Sequence, residues 1–218
     1  MKDLTKGNPA RLILAFALPV MIGNLFQLFY TLADTRIVGS FLGDTALTAV
    51  GATNSLNSLI VGFLTGLANG FGIITARHYG ANDPNQVKKS VASVVVLGGG
   101  MAVLLTALSV GFLTPLLRVL NTPEQLIGQS AAYFRVILFG LTASILYNGC
   151  AAVLRAVGDT VTPLVFLILS TLLNVGLDLL FVCVLKSGIV GAATATVLSQ
   201  IVSGVLCVLY IRRKYPIL

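Results

Sequence analysis

The stretch LLNVGLDLLF, residues 172–181, places an asparagine and an aspartate inside a long apolar run. Asn174 and Asp178 are four residues apart, a spacing that puts them on one face of a helix. The surrounding run, residues 160–185, carries no other charge and is long enough to cross a bilayer, which takes about 20 mostly apolar residues. A carboxylate at the centre of such a helix costs about 2.5–3.5 kcal/mol, so Asp178 requires an explanation.

The same composition extends along the whole chain of 218 residues, which is 56% hydrophobic and 10% charged. Soluble domains carry about 25% charged residues. Further runs almost free of charge are 12–33, 45–76, 90–117, 136–154 and 187–211. They are continuous rather than alternating, which disfavours a barrel and favours helices that satisfy their own backbone in lipid. We predict an all-α integral membrane protein, a bundle of six transmembrane helices in a single unit spanning residues 1–218. The predicted helices cover about 12–35, 46–76, 87–115, 129–155, 161–185 and 189–211.

The net charge of +7 comes from basic residues that fall mainly on one side of the predicted bundle. That side holds Lys2, Lys6, Arg11, Arg77, Lys88, Lys89, Arg155, Arg212, Arg213 and Lys214, and the other holds Arg36, Arg118, Arg135 and Lys186. This asymmetry predicts a multi-pass protein of the cell's inner (plasma) membrane with both termini in the cytoplasm. The basic excess is then a topology signal, and we expect no nucleic-acid partner.

Polar residues recur at helical spacing inside the predicted spans. In the first span Asn24, Gln27, Thr31 and Asp34 share one face, as Asn174 and Asp178 do in the fifth. The remaining spans contribute Asn54, Ser58, Thr65, Asn69, Tyr147, Asn148, Thr196, Ser199 and Gln200. Such faces avoid lipid and point inward, so we expect a polar interior that bears carboxylates.

Two kinds of chemistry fit a carboxylate-bearing interior. Oxygen ligands from Asp, Asn and Thr suit a small hard cation such as sodium, and a carboxyl group in a poorly hydrated site can bind and release a proton near neutral pH. Simpler interpretations stay open: Asp34 as an interfacial charge near Arg36, Asp178 as a structural residue, and Pro19 as a static kink rather than a hinge.

Small residues and cysteines also lie inside the spans. Small residues four apart are Gly62, Gly66 and Gly70 in the second span and Gly191, Ala195, Ser199 and Ser203 in the sixth. This spacing predicts close helix packing within the bundle. Cys150, Cys183 and Cys207 show no zinc-type spacing, and we expect them to be small buried hydrophobic residues.

Four phrases in order along the chain resemble the amino-terminal half of MATE transporters, the multidrug and toxic compound extrusion family. They are LPVMIGNLFQLFYTLADTRIVGSFLGDTALTAVG at 18–51, LRAVGDTVTP at 154–163, LLNVGLDLLF at 172–181 and GIVGAATATVLSQ at 188–200. The resemblance covers nearly the whole sequence. It implies one lobe of a twelve-helix fold, whose second lobe is absent from this chain.

The resemblance also implies roles for particular residues. In DinF-like prokaryotic members an acidic pair on the first and fifth helices binds sodium or a proton, and the matching positions here are Asp34, Asn174, Asp178 and Thr196. The polar surround of the cavity is matched by Gln27, Tyr30, Tyr133 and Asn148, and Tyr147 is expected to line it as well. Pro19 matches the proline at which the first helix bends in some members.

The function expected on these grounds is sodium- or proton-coupled efflux of cationic or amphipathic drugs. We expect no cofactor, only sodium or a proton as the coupling ion. The expected partners are the substrates, the lipid bilayer and a second lobe, either covalent or supplied as a dimer. Two alternatives stay open: a flippase for lipid-linked saccharides, which would need a basic rather than an acidic cavity, and a non-transporting assembly partner. An enzyme is not expected, because the spans lack a metal triad, a nucleophile–base pair and a phosphate loop.

Overall fold

The computed structural model describes residues 9–215, and within that range every regular element is a helix. The elements are α1 (Pro9–Gly80), α2 (Pro84–Val119), α3 (Glu124–Phe139), α4 (Leu141–Ala156), α5 (Val161–Asp178), a π-helical segment (Leu179–Val184) and α6 (Gly188–Lys214). The predicted all-α membrane fold is confirmed.

The longest element, α1, is a pair of helices joined at a single residue. Its 72 residues would extend about 108 Å at 1.5 Å per residue, several times the roughly 30 Å of a bilayer core. Gly43 breaks it with φ 83° and ψ 179°, so residues 9–42 form a first arm and residues 44–80 a second arm. The structure differs here from the sequence-based helix bounds, which left 36–45 as a loop.

By length and composition, four helices of the described range could cross a membrane, and the α3–α4 pair, bent by 44°, could form a fifth span. Counting the two arms of α1 separately gives six passages. This count is compatible with the six predicted helices.

Local capping explains where α1 ends and α2 begins. Asn82 adopts a left-handed conformation with φ 53°, and the Asp83 N–H donates back to the His78 carbonyl at 3.2 Å. The Asp83 side chain then accepts a hydrogen bond from the Gln86 N–H at 3.1 Å, and Pro84 occupies the first turn of α2. Asparagine in the left-handed turn, aspartate as N-cap and proline directly after it are the residues this junction favours.

The bundle is built around α1, which contacts every other helix. Val38, Leu113, Phe134 and Leu138 lie in the main apolar core and are almost fully buried. Side chains such as Leu59, Ile73 and Val119 are instead more than 70% exposed on the outside. An apolar exterior around a partly polar interior is the arrangement that lipid as solvent favours.

The two stripes of small residues behave differently. On α6, Gly191 lies against Phe181 and Ser187, and Ser199 and Ser203 are buried. On the second arm of α1, no described atom lies within 4 Å of a Cβ built on Gly62, Gly66 or Gly70. The prediction that the stripe on α1 packs within the bundle is therefore wrong. We call the surface formed by Gly62, Gly66 and Gly70 the glycine face.

Candidate ion and substrate site

A cavity of about 600 Å³ lies between the two arms of α1 on one side and α3, α4, α5 and α6 on the other. Its volume falls within the range of small-molecule sites, about 300–1,000 Å³. The wall is mixed: Asn24, Asn54 and Asn57 contribute amides, and Leu164 and Leu167 contribute apolar surface. Such a wall can accept a ligand with both polar and apolar parts.

Most residues singled out in the sequence lie in this wall. They are Pro19, Gln27, Tyr30, Asp34, Tyr133, Tyr147, Asn148 and Thr196. Asn174 and Asp178 lie outside it and are fully buried. Gly43 is the one non-helical residue within α1, so the helix is unbroken at Pro19, whose role as a hinge stays a prediction.

An acidic cluster forms where the first arm of α1 faces α5 and α6. We use this name for Tyr30, Asp34, Asn174, Asp178 and Thr196. Asp34 and Asp178 lie close enough for their charges to interact with each other. Both charges also interact with the Tyr30 hydroxyl. Asn174 donates to the Thr196 hydroxyl at 3.4 Å, which connects α5 to α6. The structure thus brings together the four residues predicted to bind a cation.

The acidic cluster contains five buried oxygen atoms without a hydrogen-bond partner in the described part of the chain. They are the Tyr30 hydroxyl, Asp34 Oδ1, Asn174 Oδ1 and both carboxylate oxygens of Asp178. Buried polar groups are normally satisfied, and each one left alone costs about 1–3 kcal/mol. Five convergent oxygen atoms match the ligand preference of a small hard cation, and a carboxylate can instead be neutralised by a proton.

The backbone around Asp178 changes its helical type. Asp178 is the last residue of α5, and the π-helical segment starts at Leu179, with the Leu185 N–H donating to the Leu180 carbonyl at 2.9 Å. π-helical turns are rare and occur frequently at functional sites. The hydrophobic pattern of residues 160–185 gives no indication of this change.

Other polar residues of the wall are already engaged. The Tyr147 hydroxyl donates to the Pro163 carbonyl at 3.0 Å, and the Asn148 amide donates to the Ser144 carbonyl at 2.8 Å. Ser144 also bonds to Gln200 of α6. These bonds fix the positions of the α4 side chains, whereas the oxygens of the acidic cluster remain available.

One charged residue of the wall was not predicted to lie there. Arg155, at the end of α4, lines the cavity, and its guanidinium donates to the Asn69 side-chain oxygen at 3.3 Å. No ion pair to it occurs within residues 9–215, where Arg118 pairs with Glu124. The excess of basic residues on one side of the predicted bundle explains a basic residue at this helix end equally well. The sequence alone therefore does not assign Arg155 to the cavity.

The family model MatE matches residues 19–180 of this chain. The chain belongs to the MATE family. The probable multidrug resistance protein YpnP of Bacillus subtilis is 35% identical over 91% of this chain, and YoeA of the same organism is 31% identical over 93%. A solved structure of a multidrug resistance MATE family transporter in an outward-facing conformation superposes on 97% of this chain with a TM-score of 0.89 and 29% identity.

The chain spans about half the length of the relatives it matches: 44% of YpnP, 45% of YoeA and 47% of the outward-facing transporter. The match is thus to one lobe of a MATE fold. Family membership and the long apolar helices make it a multi-pass membrane protein.

Proposed function

We propose that this chain is the amino-terminal lobe of a cation-coupled multidrug efflux antiporter. Sodium or a proton would bind the acidic cluster, and organic cations or amphipathic drugs would occupy the cavity. The names of the relatives support multidrug export, and the resemblance of Asp34, Asn174, Asp178 and Thr196 to the DinF-like cation site supports the coupling.

The observation that carries this proposal is the set of five partnerless oxygens in the acidic cluster. Two carboxylates near each other in a poorly hydrated interior repel, because the effective dielectric constant there is low. A sodium ion or a proton relieves both the repulsion and the unsatisfied oxygens. Release of the ion restores the repulsion and leaves the oxygens unsatisfied again. Binding of the ion is therefore coupled to the conformation around the acidic cluster.

The energy available from the ion is sufficient for export. One elementary charge moving through 100 mV gains about 2.3 kcal/mol. Since about 1.4 kcal/mol corresponds to a tenfold ratio, this supports a several-tens-fold gradient of a neutral substrate. The chemical gradient of the ion adds to it.

The cavity wall fits amphipathic cations. Tyr30 and Tyr133 present aromatic surface next to Asp34, while Leu164 and Leu167 supply apolar area. A cationic substrate near Asp34 would compete with the coupling ion for the same negative charge, which is the basis of exchange.

A second six-helix lobe, covalent or supplied as a second copy, is the partner this proposal requires. The glycine face gives it a surface, since Gly62, Gly66 and Gly70 have no described neighbour within 4 Å. Small residues let helix backbones approach closely in lipid. The proposed location is the plasma membrane, with the basic helix ends and both termini in the cytoplasm.

Efflux measurements on matched variants test the proposal. Asp178→Asn and Asp34→Asn should abolish ion-driven export of a fluorescent organic cation, while Asp44→Asn, an exposed aspartate next to Gly43, should leave it unchanged. Infrared difference spectra across pH, with and without sodium, should contain a carboxyl band that disappears in Asp178→Asn. Unimpaired efflux in both cluster variants would refute the proposal and favour a non-transporting role.

One observation favours a second candidate, a flippase for lipid-linked saccharides. Arg155 lines the cavity and could bind an anionic headgroup. In that case Arg155→Gln would abolish transport of the anionic lipid and Asp178→Asn would not. Loss of transport in Arg155→Gln but not in Asp178→Asn would indicate the flippase. Loss of transport in Asp178→Asn but not in Arg155→Gln would indicate the efflux antiporter.

A further inference from the structure

The helices α4 and α6 run side by side in the same direction with a constant register. A Cβ on Gly140 would overlap Val197, Ser144 bonds to Gln200, and a Cβ on Gly204 would stand 3.3 Å from Leu146. In each pair the α6 residue follows its α4 partner by 56 to 58 positions. The next turn of this register places Cys150 opposite Cys207.

The two thiols lie close to each other at this position. Cys150 and Cys207 are within electrostatic range of each other, and both belong to the apolar cluster around Leu154 and Ile211. Cys207 is fully buried, whereas Cys150 is partly exposed. Cys183 packs against the separate main core and has no such partner thiol there.

We propose that Cys150 and Cys207 are a dithiol site that a membrane-permeant hydroperoxide converts into a disulfide, which cross-links α4 to α6. Cys150 is the more accessible thiol and reacts first: its sulfur takes one peroxide oxygen to become a sulfenic acid, and an alcohol leaves. The Cys207 sulfur then attacks the Cys150 sulfur, the S–S bond forms and water leaves. Two thiols are oxidised by two electrons and the hydroperoxide is reduced.

The packing of α4 against α6 supports this bond. Disulfides join Cα atoms about 4.4–6.8 Å apart, so the proposal requires that separation between Cys150 and Cys207. Three residues before Cys207, a Cβ on Gly204 would be in van der Waals contact with the Ala143 carbonyl of α4, at 3.7 Å. The cross-link would fix the wall that carries Tyr147 and Gln200. This site is independent of the proposed ion coupling, since neither thiol belongs to the acidic cluster.

Counting thiols after oxidation tests the proposal. The chain in lipid nanodiscs is treated with cumene hydroperoxide, denatured, alkylated with a maleimide and analysed by mass spectrometry. We expect the number of reactive thiols to fall from three to one, with Cys183 remaining and a peptide pair linked through Cys150 and Cys207. Cys183→Ser should fall from two thiols to none, and Cys150→Ser should keep both of its thiols. Cys207→Ser should keep only Cys183, with oxygen added to Cys150 and no linked peptide. In the wild-type chain, three reactive thiols, or oxygen added to Cys150 without a linked peptide, would overturn the proposal.

A second pair of variants tests the register itself. Gly204→Val forces α4 and α6 apart through Leu146 and should leave the linked peptide a minor fraction under the same treatment. The matched control is Gly66→Val, at an exposed glycine whose added Cβ meets no described atom within 4 Å, and it should keep full cross-linking. Equal yields of the linked peptide in Gly204→Val and Gly66→Val would contradict the α4–α6 register as the cause of cross-linking.

Discussion

Asp178 carries two carboxylate oxygens that lie inside the bundle without a hydrogen-bond partner among residues 9–215. The sequence was sufficient to locate it, because a charge inside an apolar run of this length is conspicuous and expensive. The same reasoning failed for Arg155 and for the cysteine pair. A basic residue at a helix end and cysteines far apart in sequence have ordinary interpretations, and only the packing of α4 brings them to the cavity and to α6.

At this scale we predict that sodium stabilises the wild-type chain and not Asp178→Asn. A ligand that binds only the folded state adds about 2.7 kcal/mol at a hundredfold excess over its Kd. Thermal unfolding in detergent, with choline replacing sodium as the control, should show a sodium-dependent rise in Tm that Asp44→Asn retains. A proton-coupled cluster would instead respond to lowered pH in wild type and not in Asp178→Asn. Identical responses of wild type and Asp178→Asn to both ions would argue against the site.

A second residue-scale prediction concerns Asp159, in the turn between α4 and α5. Burial opposes its charge, but hydrogen bonds from the Thr162 N–H and hydroxyl and from the Tyr215 hydroxyl, together with Lys214, keep its pKa below the ordinary value. A lowered carboxyl pKa stabilises the fold above about pH 4, and the effect is lost as pH falls through the folded pKa. Asp159→Asn should therefore cost about 1 kcal/mol at pH 7, allowing for solvent screening, and progressively less as the pH falls through the folded pKa. Chemical denaturation across this pH range measures the cost, and a penalty independent of pH would contradict the prediction.

At the scale of elements, Gly43 shows where hydrophobic patterning stops being informative. The sequence-based helix bounds left residues 36–45 as a loop, but the backbone turns within one residue and both arms remain helical. The π-helical segment after Asp178 could not be predicted from the sequence either. It lies within a continuous apolar run and differs from an α-helix only in its hydrogen-bond register. Helix identity was thus predictable from composition, and the exact joints were not.

Gly43→Ala should destabilise the chain although no described atom lies within 4 Å of the added Cβ. A backbone with φ 83° and ψ 179° is essentially restricted to glycine, and forcing another residue into it costs about 1–3 kcal/mol. The matched control is Gly66→Ala, equally open but helical, which should be neutral or stabilising by up to about 1 kcal/mol. Denaturant unfolding of both variants measures the difference, and equal stabilities would show that the break is not strained.

At the scale of the whole molecule, the apolar exterior and the polar cavity were both expected from composition and from polar residues at helical spacing. The glycine face was not. Sequence spacing predicts that small residues pack against a helix, but it does not say which helix, and α6 uses its stripe within the bundle while the second arm of α1 does not. A close-packing surface without a neighbour in this lobe is what a half-length match to two-lobed relatives would produce.

The glycine face therefore yields a prediction that separates folding from assembly. Gly66→Leu should leave the unfolding temperature of the six-helix unit unchanged, because Gly66 is exposed and its added Cβ meets no described atom within 4 Å. It should nevertheless abolish efflux, because a large residue prevents the close backbone approach that the second lobe requires. Gly204→Leu should instead lower the unfolding temperature, since its side chain would collide with Leu146 inside the lobe. Thermal unfolding and efflux measured on both variants would distinguish these effects. Normal efflux in Gly66→Leu would mean that the glycine face is exposed to lipid, and that the second lobe joins through another surface.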